Sequence, residues 1–262
     1  MISNPDRQLD PVRLLRLTSQ YRRPYSEATG QDRRLDMETA LPATEEPVKP
    51  PRKRREQQRA IDTRERIMRA AGAEFAAKGY DGAATRSIAS AAGVQHTLVT
   101  YHFGGKEGLW RETLRYYSHE RYEQLQARLD GLRGVGPAPK LYLYLEDFIR
   151  YSAGSPEFAW MMGHVASHPN PQLDWLFETQ LQRGFDSVEA MILGAQKSGH
   201  FIEGEPKYLY YLFIGMVTRI FMLSAEVEMV LGRSPFSQEF IDMHVLTCLA
   251  IFFRKIPNVS VD

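Results

Sequence analysis

One cysteine, Cys248, stands in a chain of 262 residues. No internal disulfide framework can form, which fits a reducing compartment and leads us to expect the cytoplasm. Long apolar runs are also missing, since the strongest candidate, Tyr208 to Leu223, is interrupted by Gly215 and Arg219. That excludes a membrane span there. The first residues carry arginines but no apolar stretch followed by a cleavage site, so no secretory leader is read, and Met37 is an alternative start. Catalytic constellations are absent too. His164 and His168 have the four-residue spacing of metal ligands, but no HExxH glutamate or nearby cysteine accompanies them and Pro169 ends their helix. Gly104-Gly105-Lys106-Glu107 lacks the glycine spacing and the Ser or Thr of a phosphate-binding loop. No glycine-flanked serine elbow occurs, and Cys248 among Leu246, Leu249 and Ile251 reads as a small buried hydrophobe. The chain is therefore not read as an enzyme, and neither a metal nor a cofactor is implied.

Basic residues outnumber acidic ones only at the front. Residues 1–60 carry 13 Lys/Arg against 9 Asp/Glu, 61–106 carry 6 against 4, and 107–262 carry 14 against 19. The overall charge of +1 thus hides segments of +4, +2 and −5. Such a polarity suits a protein that presents one end to nucleic acid and keeps the other away from it. Within the first sixty residues, Pro5, Pro11, Pro24, Pro42, Pro47, Pro50 and Pro51 interrupt any helix and apolar content is sparse, so disorder is expected. The run Arg52-Lys53-Arg54-Arg55, with Arg59 following, reads either as a solvated tail or as an arm that tracks a DNA backbone or minor groove.

The most informative stretch is Thr85 to Leu109. Thr85 is placed to cap a helix whose inward residues are Ile88, Ala89 and Ala92, and Gly93 supplies the permissive backbone of a sharp turn. A second helix, from Gln95 to Phe103, turns Val94, Leu98 or Val99, and Phe103 inward. Gln95, His96, Thr97, Thr100 and Tyr101 are left on an open face without an acidic group. In a helix-turn-helix the second helix enters the major groove by its N-terminus, so Gln95, His96 and Thr97 would lie nearest the base edges. Tyr101, His102 and Lys106 come later, where hydroxyl, imidazole and ammonium groups suit phosphate.

The run containing Ile67, Ala71, Phe75, Gly79, Tyr80, Thr85, Ile88, Ala89, Ala92-Gly93-Val94, Tyr101-His102-Phe103, Lys106-Glu107 and Leu109 resembles the DNA-binding domain of tetracycline-repressor-type (TetR/AcrR) regulators. The resemblance implies an all-α chain, with an N-terminal three-helix helix-turn-helix head and an all-helical C-terminal effector and dimerisation domain. It also implies a homodimer that binds a palindromic double-stranded DNA operator and releases it when a small-molecule effector binds. By position, Thr85, Arg86, His96, Thr97, Thr100, Tyr101, His102 and Lys106 match the DNA-contacting residues. Many members carry Tyr where this chain has Thr100, and the aromatic here is displaced to Tyr101, which is expected to take over that phosphate contact.

Four segments follow from this reading: an extension over 1–60, a helix-turn-helix domain over 61–106, a ligand-binding and dimerisation domain over 107–256, and a tail over 257–262. Helix one is expected to open at Asp62 or Thr63, and helix four to run from Gly105 to Leu129. Beyond the break at Gly131, Gly134, Gly136 and Pro137, helices are expected over 140–153, 156–167, 171–198, 207–231 and 238–255, with no competing strand pattern. Phe148, Trp160, His164, Trp175, Phe185, Tyr211 and Arg219 are candidate effector contacts, each weighed against an ordinary place in the core. Arg219 would need a partner if buried, either an anionic effector or Glu146, Asp147 or Glu226. The last two helices are apolar around much of their circumference and are expected to pair with a second copy. A repressor is the favoured reading, and an activator or a constitutive DNA-binding protein without an effector is the alternative.

Overall fold

The computed structural model describes residues 52–130 and 134–257. Of the extension expected to be disordered over 1–60, residues 1–51 lie outside the described residues, as does the tail from 258 onward, and 52–60 are helical instead. The chain divides into Met1–Asp62 and Thr63–Asp262. Of the first unit the described part, 52–62, is helical, with the Gln58 amide donating to Asp62 at 2.8 Å.

Helix α1 spans Arg52–Gly82. It begins at Arg52 rather than at Asp62, because Pro50-Pro51 is followed by a run free of glycine, proline and β-branched residues until Ile61. The basic run Arg52–Arg55 is therefore helical. Gly79, at φ 67° and ψ −179°, kinks the end of α1. Next come α2 (Thr85–Ala91), α3 (His96–Phe103) and α4 (Lys106–Asp130). Their shared core contains Ile67, Ala71, Phe75, Ile88, Ala89 and Phe103. Val99 is fully buried while Leu98 is 37% exposed, which settles which of the two faces inward.

This head core does not stop at the head. Leu109, Trp110 and Leu114 of α4 belong to it, as do Met161, Val165 and Leu176 from further along the chain. Those last three sit on α6 (Pro156–Val165) and α7 (Pro171–Leu176), which follow α5 (Pro137–Gly154). A π-helical turn, Phe177–Leu181, then leads into α8 (Gln182–Lys197). The expected single helix over 171–198 is thus one rod with a wider turn inside it. The expected helix over 207–231 is two, α9 (Pro206–Met222) and α10 (Ser224–Leu231), because Leu223 leaves helical geometry at φ −100°, ψ 29°. The last helix, α11, spans Gln238–Phe252.

Side chains punctuate these helices where the first-turn amides need acceptors. Asn170 caps α7, Glu205 caps α9 and Ser237 caps α11. A second core joins α5, α8, α9 and α11 through Leu141, Leu145, Ile192, Phe213, Val217 and Leu249. Arg150 crosses it, pairing with Glu146 at 3.0 Å and with Asp242 of α11 at 2.8 Å. Burial alone would weaken this guanidinium as a cation, and the two carboxylates more than reverse that, holding its pKa above the usual value. Among the described residues no β-strand forms, apart from an isolated bridge between Phe201 and Phe253.

Candidate nucleic-acid interface

The turn between α2 and α3 is closed by backbone contacts around Gly93, whose φ of 64° suits a residue without Cβ. Gly93 N–H donates to Ser90 at 3.1 Å and Val94 N–H to Ala89 at 3.0 Å. Gln95, in extended geometry, is the N-cap of α3, and Gly104 ends it in the left-handed region. Between these stops the helix buries Val99 and Phe103 and exposes His96, Thr97, Thr100 and Tyr101. Gln95 and Arg86 are exposed beside them, and Tyr101 stands 79% exposed. So large an aromatic left in water is a candidate contact residue.

Four expected contact residues, Thr85, His96, Lys106 and His102, also have partners inside the protein. Thr85 does not cap α2, since the N-cap is Ala84 and no side chain serves there. Its hydroxyl lies 2.9 Å from His96 Nε2 instead. Lys106 donates to the Asp81 carbonyl at 3.0 Å and rests over the Tyr80 ring at 5.0 Å. Two of its three N–H donors stay available. His102 is half-buried, and its carbonyl accepts from Arg64 at 3.3 Å.

Arg64 is a residue that the sequence reading passed over. Its guanidinium also pairs with Glu112 of α4 at 2.5 Å and lies 4.8 Å over the Phe103 ring. One α1 side chain thereby holds the C-terminal end of α3 against α4. A basic residue near a helix C-terminus is favoured by the unpaired carbonyls there, but its partners lie 38 and 48 residues away and leave no local pattern. Gly108 completes the joint, because a Cβ at this position would meet the Phe103 carbonyl oxygen at 1.9 Å.

Residues 67–113, which include α2, α3 and the Glu112 partner of Arg64 but not Arg64 itself, match the family described as bacterial regulatory proteins, tetR family. Over that span the head is similar to tetR-family regulatory proteins. Solved structures of the same fold include HlyIIR, a hemolysin II transcriptional regulator, at 21% identity and TM-score 0.52, covering 75% of this chain and 99% of that one. AibR in complex with isovaleryl coenzyme A and operator DNA is similar at 18% identity and TM-score 0.58, covering 73% and 98%. A transcriptional regulator of Streptomyces coelicolor, SCO4942, is similar at 20% identity and TM-score 0.50, covering 74% and 99%. Curated proteins provide no match.

Behind the head, the candidate effector contacts fall into separate places. Phe148, Phe185 and Tyr211 come together around Tyr210, with Phe148 and Phe185 at 6.3 and 5.6 Å from the Tyr210 ring and Phe185 stacked on Tyr211 at 5.3 Å. Trp175 meets Trp110 edge-on at 5.6 Å and is covered by Arg111 at 4.9 Å. Trp160 is 37% exposed on α6. His164, one turn further, lies 3.0 Å from the Ala76 carbonyl of α1 by its Nε2. A cavity of about 180 Å³ opens beside it, lined by Phe75, Tyr80, Trp110, Met161 and His168 among others. Arg219 is exposed on α9, and Glu146 is engaged by Arg150. His168 Nδ1 lies 2.9 Å from the Ser167 hydroxyl. Among the described residues no helix is long and apolar enough to cross a membrane.

Proposed function

We propose that the chain is a transcriptional repressor that binds a palindromic operator as a homodimer and releases it when a small molecule binds behind the head. The observation that carries the DNA contact is the exposed, acid-free face of α3, with Gln95, His96 and Thr97 at its leading end. Thr85, Arg86, Tyr101, His102 and Lys106 flank it as phosphate contacts, and Thr100 sits between the two groups.

Pairing is supported by two outward rows. On α9, Tyr208, Tyr211, Leu212, Gly215 and Arg219 are exposed at helical spacing, and on α11 so are Met243, Thr247 and Ile251. Gly215 has open space where a Cβ would stand, which lets a second helix approach closely. A two-fold partner seated on these rows would cover apolar surface that is costly to leave in water, and it matches the symmetry of a palindrome. The effector is read as a small molecule with an apolar body, as the Tyr210 cluster is aromatic, while the cavity beside His164 sets Phe75, Tyr80 and Trp110 against polar groups such as Lys78, Asp81, Asn170 and Gln172. AibR, solved with a coenzyme A thioester and operator DNA, supports a ligand-responsive reading of this fold. Release requires the effector to favour the DNA-incompetent state.

The test is anisotropy of labelled duplexes from the region upstream of the chain's own gene, combined with light scattering. Sub-micromolar binding by a dimer is the expected result, with affinity falling steeply as salt rises. Substituting Lys106→Ala should lower the salt slope by about one without changing sequence choice. A monomer at every concentration, or affinity indifferent to salt, would sink the reading.

A further inference from the structure

The contact between Thr85 and His96 joins the first residue of α2 to the first residue of α3, 2.9 Å from Oγ1 to Nε2. His96 is exposed at the leading end of α3, and Thr85 is half-buried beside it. Because Ala84 is the N-cap, the Thr85 hydroxyl is not committed to the backbone of its own helix. A hydroxyl has one proton to give and lone pairs to accept with, while a neutral imidazole has one N–H and one lone pair. Two pairings satisfy that distance. Thr85 gives its proton to Nε2 and leaves Nδ1–H free, or Nε2–H gives to Thr85 and leaves a lone pair on Nδ1.

A DNA backbone phosphate would decide between them. This step rests on the proposed function, in which Thr85 meets a phosphate. Phosphate oxygens accept hydrogen bonds, so the single Thr85 proton turns to the phosphate and the hydroxyl oxygen is left to accept from Nε2–H. We propose that Thr85, once oriented by phosphate, holds His96 in the Nε2–H tautomer and makes Nδ1 an acceptor for the exocyclic amino group of adenine or cytosine. In the major groove those two bases present an amino donor, whereas guanine and thymine present acceptors, and thymine also a methyl group. Thr85 is then a positioning residue that carries sequence information through His96, beyond gripping the backbone. A threonine counted as a sequence-blind contact would help to choose the operator.

The experiment is selection from a pool of random duplexes by the full-length wild-type protein and by Thr85→Ser, Thr85→Val and His96→Ala. Each variant's fold is checked by circular dichroism melting. The wild type and Thr85→Ser should enrich A or C over G or T at one position per half-site by about 10-fold, the scale of one good base contact. Thr85→Val and His96→Ala should flatten that same position while leaving the others intact. Two results would overturn the proposal: a position flattened by His96→Ala that had favoured G or T, or a Thr85→Val protein that binds every sequence more weakly with an unchanged profile. Should Thr85→Val fail to fold, the base identity lost in His96→Ala still decides. If the wild type itself enriches nothing, the DNA-reading assignment of α3 fails, a result separable from failure of the tautomer pairing.

Discussion

The two apolar cores differ in who supplies them. The core behind the head is closed by its own helices and is rich in aromatic contacts, such as Phe201 stacked on Phe252 at 5.8 Å and Phe213 edge-on to Phe252 at 5.6 Å. The head core draws many of its buried positions from alanine, among them Ala71, Ala76, Ala83, Ala89 and Ala92. Alanine removes little apolar area from water, and a unit as small as the head has little core to begin with. Trp110, Leu114, Met161, Val165 and Leu176 make up the deficit from outside the first three helices of the fold. A head built in this way is pinned by α6 and α7, so displacing either is felt directly at the buried side of α2 and α3.

The strongest way to break this comparison is a matched pair of truncations. Trp110→Ala and Phe213→Ala should each cost about 3–5 kcal/mol in chemical denaturation, since both open a cavity under a large ring. Amide exchange should tell them apart. Trp110→Ala is expected to loosen α1 to α3 well before the rest, and Phe213→Ala to leave the head protected up to global unfolding. Equal exchange throughout both variants would mean that the two cores act as one.

Arg150→Met sharpens the same contrast from the other side. Glu146 and Asp242 would lose the guanidinium between them, and removing one partner from a largely buried charge cluster costs about 3 kcal/mol. The loss should show as a lower melting temperature with head exchange unchanged, whereas a selective loss of head protection would contradict the division drawn above.

Smaller effects follow from titration within the second core. Burial lowers the His244 pKa below its ordinary 6.5, with the Val217 carbonyl contact opposing. The folded protein therefore holds fewer protons than the unfolded chain below that value. Stability is intact above about 6.5 and is lost as pH falls toward the folded value. His244→Phe should lose less stability than the wild type between about pH 7.5 and 5.5, and parallel losses would remove His244 from the account. One turn along α11, burial pushes the Cys248 thiol up to about 12. Iodoacetamide should leave it untouched in the native protein and modify it on denaturation, and rapid native labelling would show that this core opens locally.

Much of the architecture was legible because proline and glycine mark the ends of helices. Pro156 and Pro171 each open a helix and Gly93 makes the turn before α3, as expected, whereas Pro137, read as part of a break, opens α5 three residues ahead of the expected start. What could not be read depends on residues far apart in the chain. Thr85 has the chemistry of a cap, yet its partner is His96, 11 residues on. Arg64 shows no local signature, because both its partners lie on later helices. Arg219 sits in an apolar run and suggested burial, but its side of α9 faces outward. Of the candidate effector contacts, Phe148, Phe185 and Tyr211 converge, whereas spacing gave no sign that Trp160, His164 and Trp175 would lie apart from them on α6 and α7.

The π-helical turn at Phe177–Leu181 now takes on a role. Leu173, Trp175 and Leu176 before it pack on the head core, whereas Val188, Ile192 and Ala195 after it belong to the other. An i to i+5 turn accommodates about one extra residue, which changes the phase of the helix surface by roughly 100°. The rod is therefore keyed to two cores at two angles. Any molecule that tightened or relaxed this turn would rotate one grip against the other, and torsion along a single helix would become motion of the head.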